Sequence, residues 1–479
     1  MVDAVVIGSG PNGLAAAVEL ARNGAAVTVL EDKETIGGGA RTAELTLPGF
    51  RHDVCSAAHP LGIESPYFST LPLREHGLEW VLPSVSVAHP LDGEPAVLLS
   101  RGVDDTASQL DADAPAYRRL MSPLADRGRQ LLAEVLAPPV HVPRHPVTLA
   151  RFGAPGLLSA TALGRLIFRG ERARALLAGC AAHSILPLER PPSGAVGLMF
   201  LLTGHMHEWP VARGGSQAIA NSLASLLATL GGRVHTRHKV ASLTDLPPAR
   251  AYLFDTSPAQ LASIAGPQLP RRYVRSLRRY HYGPGVFKID WALDGPIPWS
   301  DPRCRDASTV HLGGSMQEIA AAESDVWRGN HPESPYVLLV QPSLFDDSRA
   351  PAGRHTGWAY CHVPSGSTLD RTDVIERQVE RFAPGFRDRI LARHVMDTAA
   401  IERNNANDVG GAITGGAASL WQLVARPVPR IDPYATPNPR FYICSAATPP
   451  GGGVHGMCGF HAAQSALRRM HDLPLRDAK

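Results

Sequence analysis

Hydrophobic positions in the first 45 residues change their period twice. Ala4-Val5-Val6-Ile7 is an unbroken apolar run, Leu14, Ala17, Val18 and Ala21 recur at helical spacing, and Val27 to Leu30 is apolar again. A short continuous run suits a strand covered on both faces, whereas i, i+3, i+4, i+7 marks one buried helix face. The pattern therefore predicts strand, turn, helix, strand, with Asn23-Gly24 ending the helix. It returns at Ser216 to Leu230, where Ile219, Leu223, Leu226, Leu227 and Leu230 share a face ahead of Gly231-Gly232 and the strand-like Val234 and Val240. A third instance closes the chain, with a strand at Phe441 to Cys444, a glycine-rich turn, and a helix from Gly456 to Met470. Strand-like stretches at Val286 to Leu293 and Tyr336 to Gln341 lie in segments of different character.

One α/β fold accounts for this alternation: a discontinuous Rossmann-like dinucleotide domain interrupted by an inserted α+β domain. The expected boundaries are 1–75, 206–265 and 426–479 for the first, and 76–205 with 266–425 for a substrate-binding or lid domain. A chain of 479 residues is too long for a single core, which agrees with two domains.

Composition removes several function classes. A formal charge of +3 gives no reason to expect a nucleic-acid partner, and the cluster Arg271, Arg272, Arg275, Arg278 and Arg279 reads as a solvated face. Six cysteines without a C-x-x-C pair fit neither a disulfide framework nor a zinc site. His205 and His207 flank Met206 and would share a strand face, but with no third ligand no metal is expected. With no basic leader and no apolar run of ~18 residues, the expected location is cytoplasmic. The apolar-basic mixture from Gly153 to Leu177 leaves two settings open, a helix covering a substrate cavity or a peripheral membrane surface. Oligomeric state is not encoded in any pattern of this kind.

Gly8-Ser9-Gly10-Pro11-Asn12-Gly13 fits G-x-G-x-x-G directly between the first strand and helix. There the glycines admit a tight turn and a pyrophosphate, whose charge is stabilised by the helix N-terminus. Glu31 ends the next strand and is placed for ribose hydroxyls. Beyond it, Gly37-Gly38-Gly39-Ala40-Arg41-Thr42 combines bare amides with one guanidinium, which suits the long pyrophosphate-ribityl arm of FAD. Near the other end, Gly451 to Gly456 opens the last helix, and its amides, Val454 and His455 among them, can face a ring that gains negative charge on reduction. His59 and His455 are the two candidate proton carriers, with a structural histidine as the alternative at each. Cys55 and Cys458 have no partner for dithiol chemistry. Lys288 either reaches a ligand or stands on a half-solvated strand.

Seven segments resemble the phytoene desaturase-like branch of the FAD-dependent oxidoreductases, within the glutathione reductase/amine oxidase flavoprotein superfamily. They are the opening glycine turn, GGGART at 37–42, HDVCSAAHPL at 52–61, WPVARGGSQAIA at 209–220, YGPGVFKIDWAL at 282–293, NANDVGGAITGG ending at 416, and CSAATPPGGGVHGMCG at 444–459. The likeness is greatest to bacterial relatives of pyridine nucleotide-disulfide oxidoreductase domain-containing protein 2. It implies FAD held by Gly8, Gly10, Pro11, Asn12 and Gly13 at the pyrophosphate and by Glu31 at the ribose. It further implies Gly37, Gly38, Arg41, Thr42 and Ser56 along the arm, and Val240 at the adenine. Ser445, Gly452, Gly453, Val454 and His455 would border the flavin.

Two departures stand out. Ser445-Ala446-Ala447-Thr448 lacks the acid that amine oxidases carry there, and Glu208 and Ala406 replace an expected glycine and proline. The implied reaction is hydride removal from a carbon of a mainly apolar small molecule to form a double bond. With one dinucleotide fingerprint, electrons would leave to dioxygen, a quinone or another carrier. The alternatives are a flavin-dependent amine oxidase, a reduced-flavin isomerase, and a non-catalytic isoprenoid- or protein-binding relative of the same fold.

Overall fold

In the computed structural model, which describes residues 2–470, the opening apolar run is strand β1 (Ala4–Ile7), buried in the middle of a five-stranded sheet. It is flanked by β2 (Val27–Leu30) and β6 (Ala251–Phe254), with β5 (Arg233–His235) and β12 (Phe441–Ile443) at the edges. Every pairing is parallel, and Ala4 faces both Val27 and Ala251. A parallel sheet of this kind is covered on both faces, which explains why β1, β2 and β6 carry no outward polar alternation.

Helix α1 (Pro11–Arg22) leaves β1 through the glycine turn and ends at Asn23, as the periodicity predicts. It lies between α6 (Gln217–Thr229) and α7 (Met457–Met470). A Cβ on Gly459 would stand 1.9 Å from the Asn12 carbonyl oxygen, so α7 crosses the first turn of α1 backbone to backbone. Gly459→Val should force the two helices apart, costing ~3 kcal/mol and lowering the thermal midpoint measured by circular dichroism.

The second sheet has seven strands in the order β11-β7-β10-β9-β8-β3-β4. These are β3 (Val85–Leu91), β4 (Glu94–Leu99), β7 (Gly285–Leu293), β8 (Ala307–Leu312), β9 (Val337–Val340), β10 (His355–Val363) and β11 (Ile390–Met396). Only β3 and β8 pair in parallel. Side chains alternate between two cores: Val337, Leu339, Ala359 and Cys361 pack against the helix Thr372–Phe382, while Leu338, Val340, Trp358 and Tyr360 face the other way. Over that second face lie α4 (Glu171–Ala182) and α5 (Ser193–Met206), with α2 (Pro146–Gly156) and α3 (Ala160–Ile167) packed against α5.

Four local expectations change. Val240 lies in an irregular connection after β5, because the strand ends at His235. His205 and His207 belong to the end of α5, where they bond Tyr117 and pair with Glu64 respectively, and among the described residues no cluster could hold a metal. The 153–177 segment stands outside α5 and does not itself reach the cavity described below. Lys288 is buried in the interior strand β7, paired with Asp290 and lying over the Trp358 ring. The basic helix Arg271–Arg278 does present its arginines to solvent. No helix among the described residues is long and apolar enough to cross a membrane.

Candidate active site

A cavity of about 490 Å³ runs from the C-terminal ends of the parallel strands to the inner face of the seven-stranded sheet. Gly8, Gly10, Pro11, Asn12, Glu31 and Gly38 line it, as do Arg41, Ser56 and Val240. Ser445, Gly452, Gly453, Val454 and His59 complete the sequence-predicted residues on its wall. Gly13, Gly37, Thr42 and His455 stand behind the wall and shape it instead.

The glycine turn is held from beneath by Asp255, the residue after β6. Its Oδ2 accepts the Gly13 amide at 3.0 Å, and a Cβ on Gly13 would fall 2.3 Å from the Gly8 carbonyl oxygen. Gly8 itself has φ +101°, which side-chain-bearing residues rarely adopt. Burial pushes the Asp255 carboxyl up to about 7, against the Gly13 amide that favours its charged form. Glu31 is fixed by backbone: Oε2 accepts from the Ser9 amide at 3.0 Å and Oε1 from the Lys33 amide at 2.8 Å.

Arg41 donates to the carbonyls of Gly38 at 2.9 Å and Asn404 at 2.6 Å, joining the opening fold to the 404–408 loop. Burial lowers its pKa, with Glu31 and Asp408 opposing the shift. Thr42 donates to Asp53 at 2.8 Å and accepts the Gln217 amide. Asn12 Oδ1 is buried without a partner at the start of α1. A bare glycine cradle, an acid at the end of β2, a buried guanidinium and this orphaned amide oxygen together fit a dinucleotide.

His59 is bound through Nε2 to Ser216 Oγ at 2.8 Å, and that hydroxyl donates to the Ser56 carbonyl at 2.6 Å. With the serine proton committed, His59 must donate from Nε2, which leaves Nδ1 a lone pair. That Nδ1 is enclosed and unpartnered. Burial pushes His59 down to about 4, with Asp53 partly opposing, so the ring is neutral. His455 sits under the glycine turn with its Nδ1 accepting the Met457 amide at 3.1 Å and its carbonyl bound by Ser65. Burial lowers it also to about 4.

The far part of the cavity is apolar. Met199, Phe200, Trp209, Leu338, Trp358 and Tyr360 line it. Cys55 reaches the wall, but burial pushes its thiol up to about 12, which leaves no thiolate for redox chemistry. All six cysteines are free.

Three further lining residues bear on the chemistry, of which Asp408 alone lies inside one of the seven segments, NANDVGGAITGG. Asp255 follows Ala251-Tyr252-Leu253-Phe254, so the rule that finds Glu31, an acid ending an apolar strand, would find it too. Asp408 lies in the 404–408 loop, where burial raises its carboxyl to about 7. His183 follows the alanine-rich α4, whose periodicity says nothing about the residue at its end.

Residues 6–70 match the family described as NAD(P)-binding Rossmann-like domain. Over 98% of its length the chain is 30% identical to mouse pyridine nucleotide-disulfide oxidoreductase domain-containing protein 2, covering 94% of that protein. The chain belongs to that family. It is an oxidoreductase of this fold with a flavin or nucleotide cofactor site, although the six free cysteines give the disulfide part of the family's name no counterpart here. A limonene dehydrogenase chain of Castellaniella defragrans is 26% identical, covering 98% of this chain and 95% of its own. Putrescine oxidase with putrescine bound shares the fold, with a TM-score of 0.62 at 17% identity and 98% of both chains covered.

Proposed function

We propose that the protein is an FAD-dependent dehydrogenase of the desaturase type. It takes a hydride from a carbon of a mainly apolar small molecule, leaves a double bond, and passes the electrons to dioxygen, a quinone or another acceptor. The observation that carries this reading is the continuity of one cavity from the glycine turn and Glu31 to an aromatic wall. The residues predicted along the cofactor, Gly38, Arg41 and Val454 among them, face that same space. Bound FAD would supply the two-electron acceptor. The chain itself binds it, excludes water with Phe200, Trp209 and Trp358, and presses the substrate carbon into place.

An amine oxidase is the second reading, and the charge on the wall weighs against it. Among the described lining residues the carboxylates are Glu31, Asp32, Asp255 and Asp408. Glu31 is bonded to the Ser9 and Lys33 amides, and burial pushes Asp255 and Asp408 each up to about 7. None of the four stands among Met199, Phe200, Trp209, Trp358 and Tyr360, so the apolar end of the cavity offers no carboxylate to receive an ammonium group. The visible spectrum of the purified protein tests the cofactor: flavin bands and release of FAD on denaturation are expected. A colourless protein that FAD does not reconstitute overturns the reading.

An anionic membrane surface is the setting proposed with it. From 135 to 170 the sequence has no acidic residue, and Arg144, Arg151, Arg165 and Arg169 make no ion pair among the described residues. Val142, Leu157 and Leu166 are exposed on the same segment, at 89%, 64% and 74%. Apolar tips among unpaired cations suit a phospholipid headgroup layer, and α5 behind them forms the cavity wall. Sedimentation with phosphatidylglycerol-containing vesicles should carry the protein down, and Leu157→Asp/Leu166→Asp should weaken binding about tenfold. Equal recovery with pure phosphatidylcholine vesicles would remove the charge argument.

A further inference from the structure

Making a double bond removes two hydrogens, one with its electron pair and one as a proton, so the dehydrogenase reading requires a proton acceptor in the cavity. We infer that His183 is that acceptor, positioned by a file of two further imidazoles, His311 and His89. The inference rests on the proposed dehydrogenation, yet it concerns residues on the cavity wall that can be tested separately.

His183 follows the last residue of α4, where it lines the cavity beside Phe200 and Trp209. Its ring stacks on Phe200 with centroids 4.3 Å apart and meets Trp209 edge-on at 5.3 Å. Two aromatic contacts fix the plane of the imidazole. Its Nε2 lies 3.0 Å from His311 Nε2, and its Nδ1 makes no hydrogen bond to the described protein.

His311 on β8 and His89 on β3 are fully buried on neighbouring parallel strands. Both of their Nδ1 atoms are unpartnered. They face one spot beside Gly179, 2.7 and 2.8 Å from where a Cβ on that residue would stand. At the closed end, His89 Nε2 is 2.8 Å from the Gly314 carbonyl oxygen.

These contacts assign the protons from one end to the other. A carbonyl only accepts, so His89 carries its proton on Nε2 and presents a bare Nδ1. The two Nδ1 atoms are not bonded to each other, but a proton on His311 Nδ1 avoids two lone pairs directed at one spot and leaves its Nε2 bare. His183 then donates from Nε2, which leaves a lone pair on Nδ1, the ring nitrogen that no described protein group engages. The buried carbonyl of Gly314 fixes the tautomer of His89, and the 3.0 Å contact with His311 Nε2 is what holds His183 Nε2 away from the reacting carbon. The other titratable groups facing the file are His362, held by Glu323, Tyr336, whose hydroxyl donates to the Gly179 carbonyl, and Glu318 on the His89 side.

Burial, with His362 as a smaller contribution, pushes His183 down to about 3, so the ring is neutral before reaction. A neutral imidazole of this kind takes the proton only as the hydride on the adjacent carbon departs and makes the C–H bond acidic. The step balances: two C–H bonds break and one C=C bond forms. One hydrogen leaves with its electron pair to the bound two-electron acceptor, and the other goes as a proton to His183 Nδ1. His59 is a poorer candidate because its Nδ1 is enclosed, and Asp408 because it is bonded to Asn405 beside Arg41.

The test uses the full-length protein as isolated, with 4-nitrophenol as an apolar ring bearing one acidic hydrogen and 4-nitroanisole as its blocked counterpart. The phenol should bind about tenfold more tightly than the anisole, and its absorption band should lie to the red of that in a hydrocarbon solvent, reporting a hydrogen bond donated to His183 Nδ1 without ionisation. His183→Leu and His183→Phe should abolish both the preference and the shift while anisole binding persists. His311→Gln, which keeps an acceptor for His183 Nε2, should retain the shift that His311→Leu loses. Absence of phenol binding, or a shift indifferent to His183, overturns the inference. FAD content, read from the same samples, reports separately on the dehydrogenase reading.

Discussion

Arg349→Ala should be among the most destabilising single changes in the chain, costing ~3–5 kcal/mol at neutral pH. Arg349 is fully buried, pairs with Asp53, approaches Asp346 at 3.2 Å, and donates to the Arg51 carbonyl at 3.3 Å. Burial alone would raise the Asp53 carboxyl, but Arg349, the Ser216 amide and the Thr42 hydroxyl bring it below its usual value. Because the folded value is depressed, this carboxylate stabilises the protein above its unfolded pKa. That contribution is lost as pH falls through the folded value. Without the guanidinium two carboxylates remain in an apolar site, and their protonation would relieve the strain. Urea denaturation should therefore show a deficit that is largest near pH 7 and shrinks below about pH 4. A deficit that stays constant with pH would point to packing alone.

The consequence for the site is indirect but specific. Asp53 also accepts the Ser216 amide at 2.7 Å, and Ser216 is the partner of His59. Losing Arg349 should loosen the wall near His59 as well as the fold.

Gly13→Val should act on the cofactor more than on stability. A side chain there would meet the Gly8 carbonyl oxygen at 2.3 Å and Asp255 Oδ2 at 2.8 Å, so the turn must open and the first turn of α1 must move. Affinity for FAD should fall at least ~100-fold, about 3 kcal/mol, measured by fluorescence titration of the stripped protein. Retention of a full complement of flavin would show that the turn does not carry the pyrophosphate.

How much of this is legible in the sequence depends on whether the determinant is local. The β1-α1-β2 unit, α6 and α7 follow from short-range periodicity, because each must bury one face against the parallel sheet. Val240 reads as strand because a lone β-branched residue after β5 resembles one, although the backbone there runs irregularly past the cavity. Lys288 looks half-solvated because alternation along β7 cannot reveal that Asp290 and the Trp358 ring enclose it. His205 and His207 read as strand neighbours for want of any signal that α5 extends to Met206. The glycine turn and Glu31 are visible because their chemistry is written in consecutive residues. His183, His311 and His89 are not, since helix α4 and strands β8 and β3 bring them together from 89 to 311 in sequence.

The five-stranded sheet is assembled from pieces that leave the ribosome far apart in time. Strands β1 and β2 are made first, β5 and β6 only after residue 233, and β12 with α7 after residue 441. Because α7 covers α1 and β12 completes the edge beside β6, the nucleotide cradle lacks one wall until nearly the whole chain is synthesised. The emerging N-terminal segment must therefore keep its apolar strands from pairing elsewhere for most of translation. Folding of this protein is correspondingly dominated by long-range closure, a slow and aggregation-exposed regime that early capture of a cofactor cannot shorten.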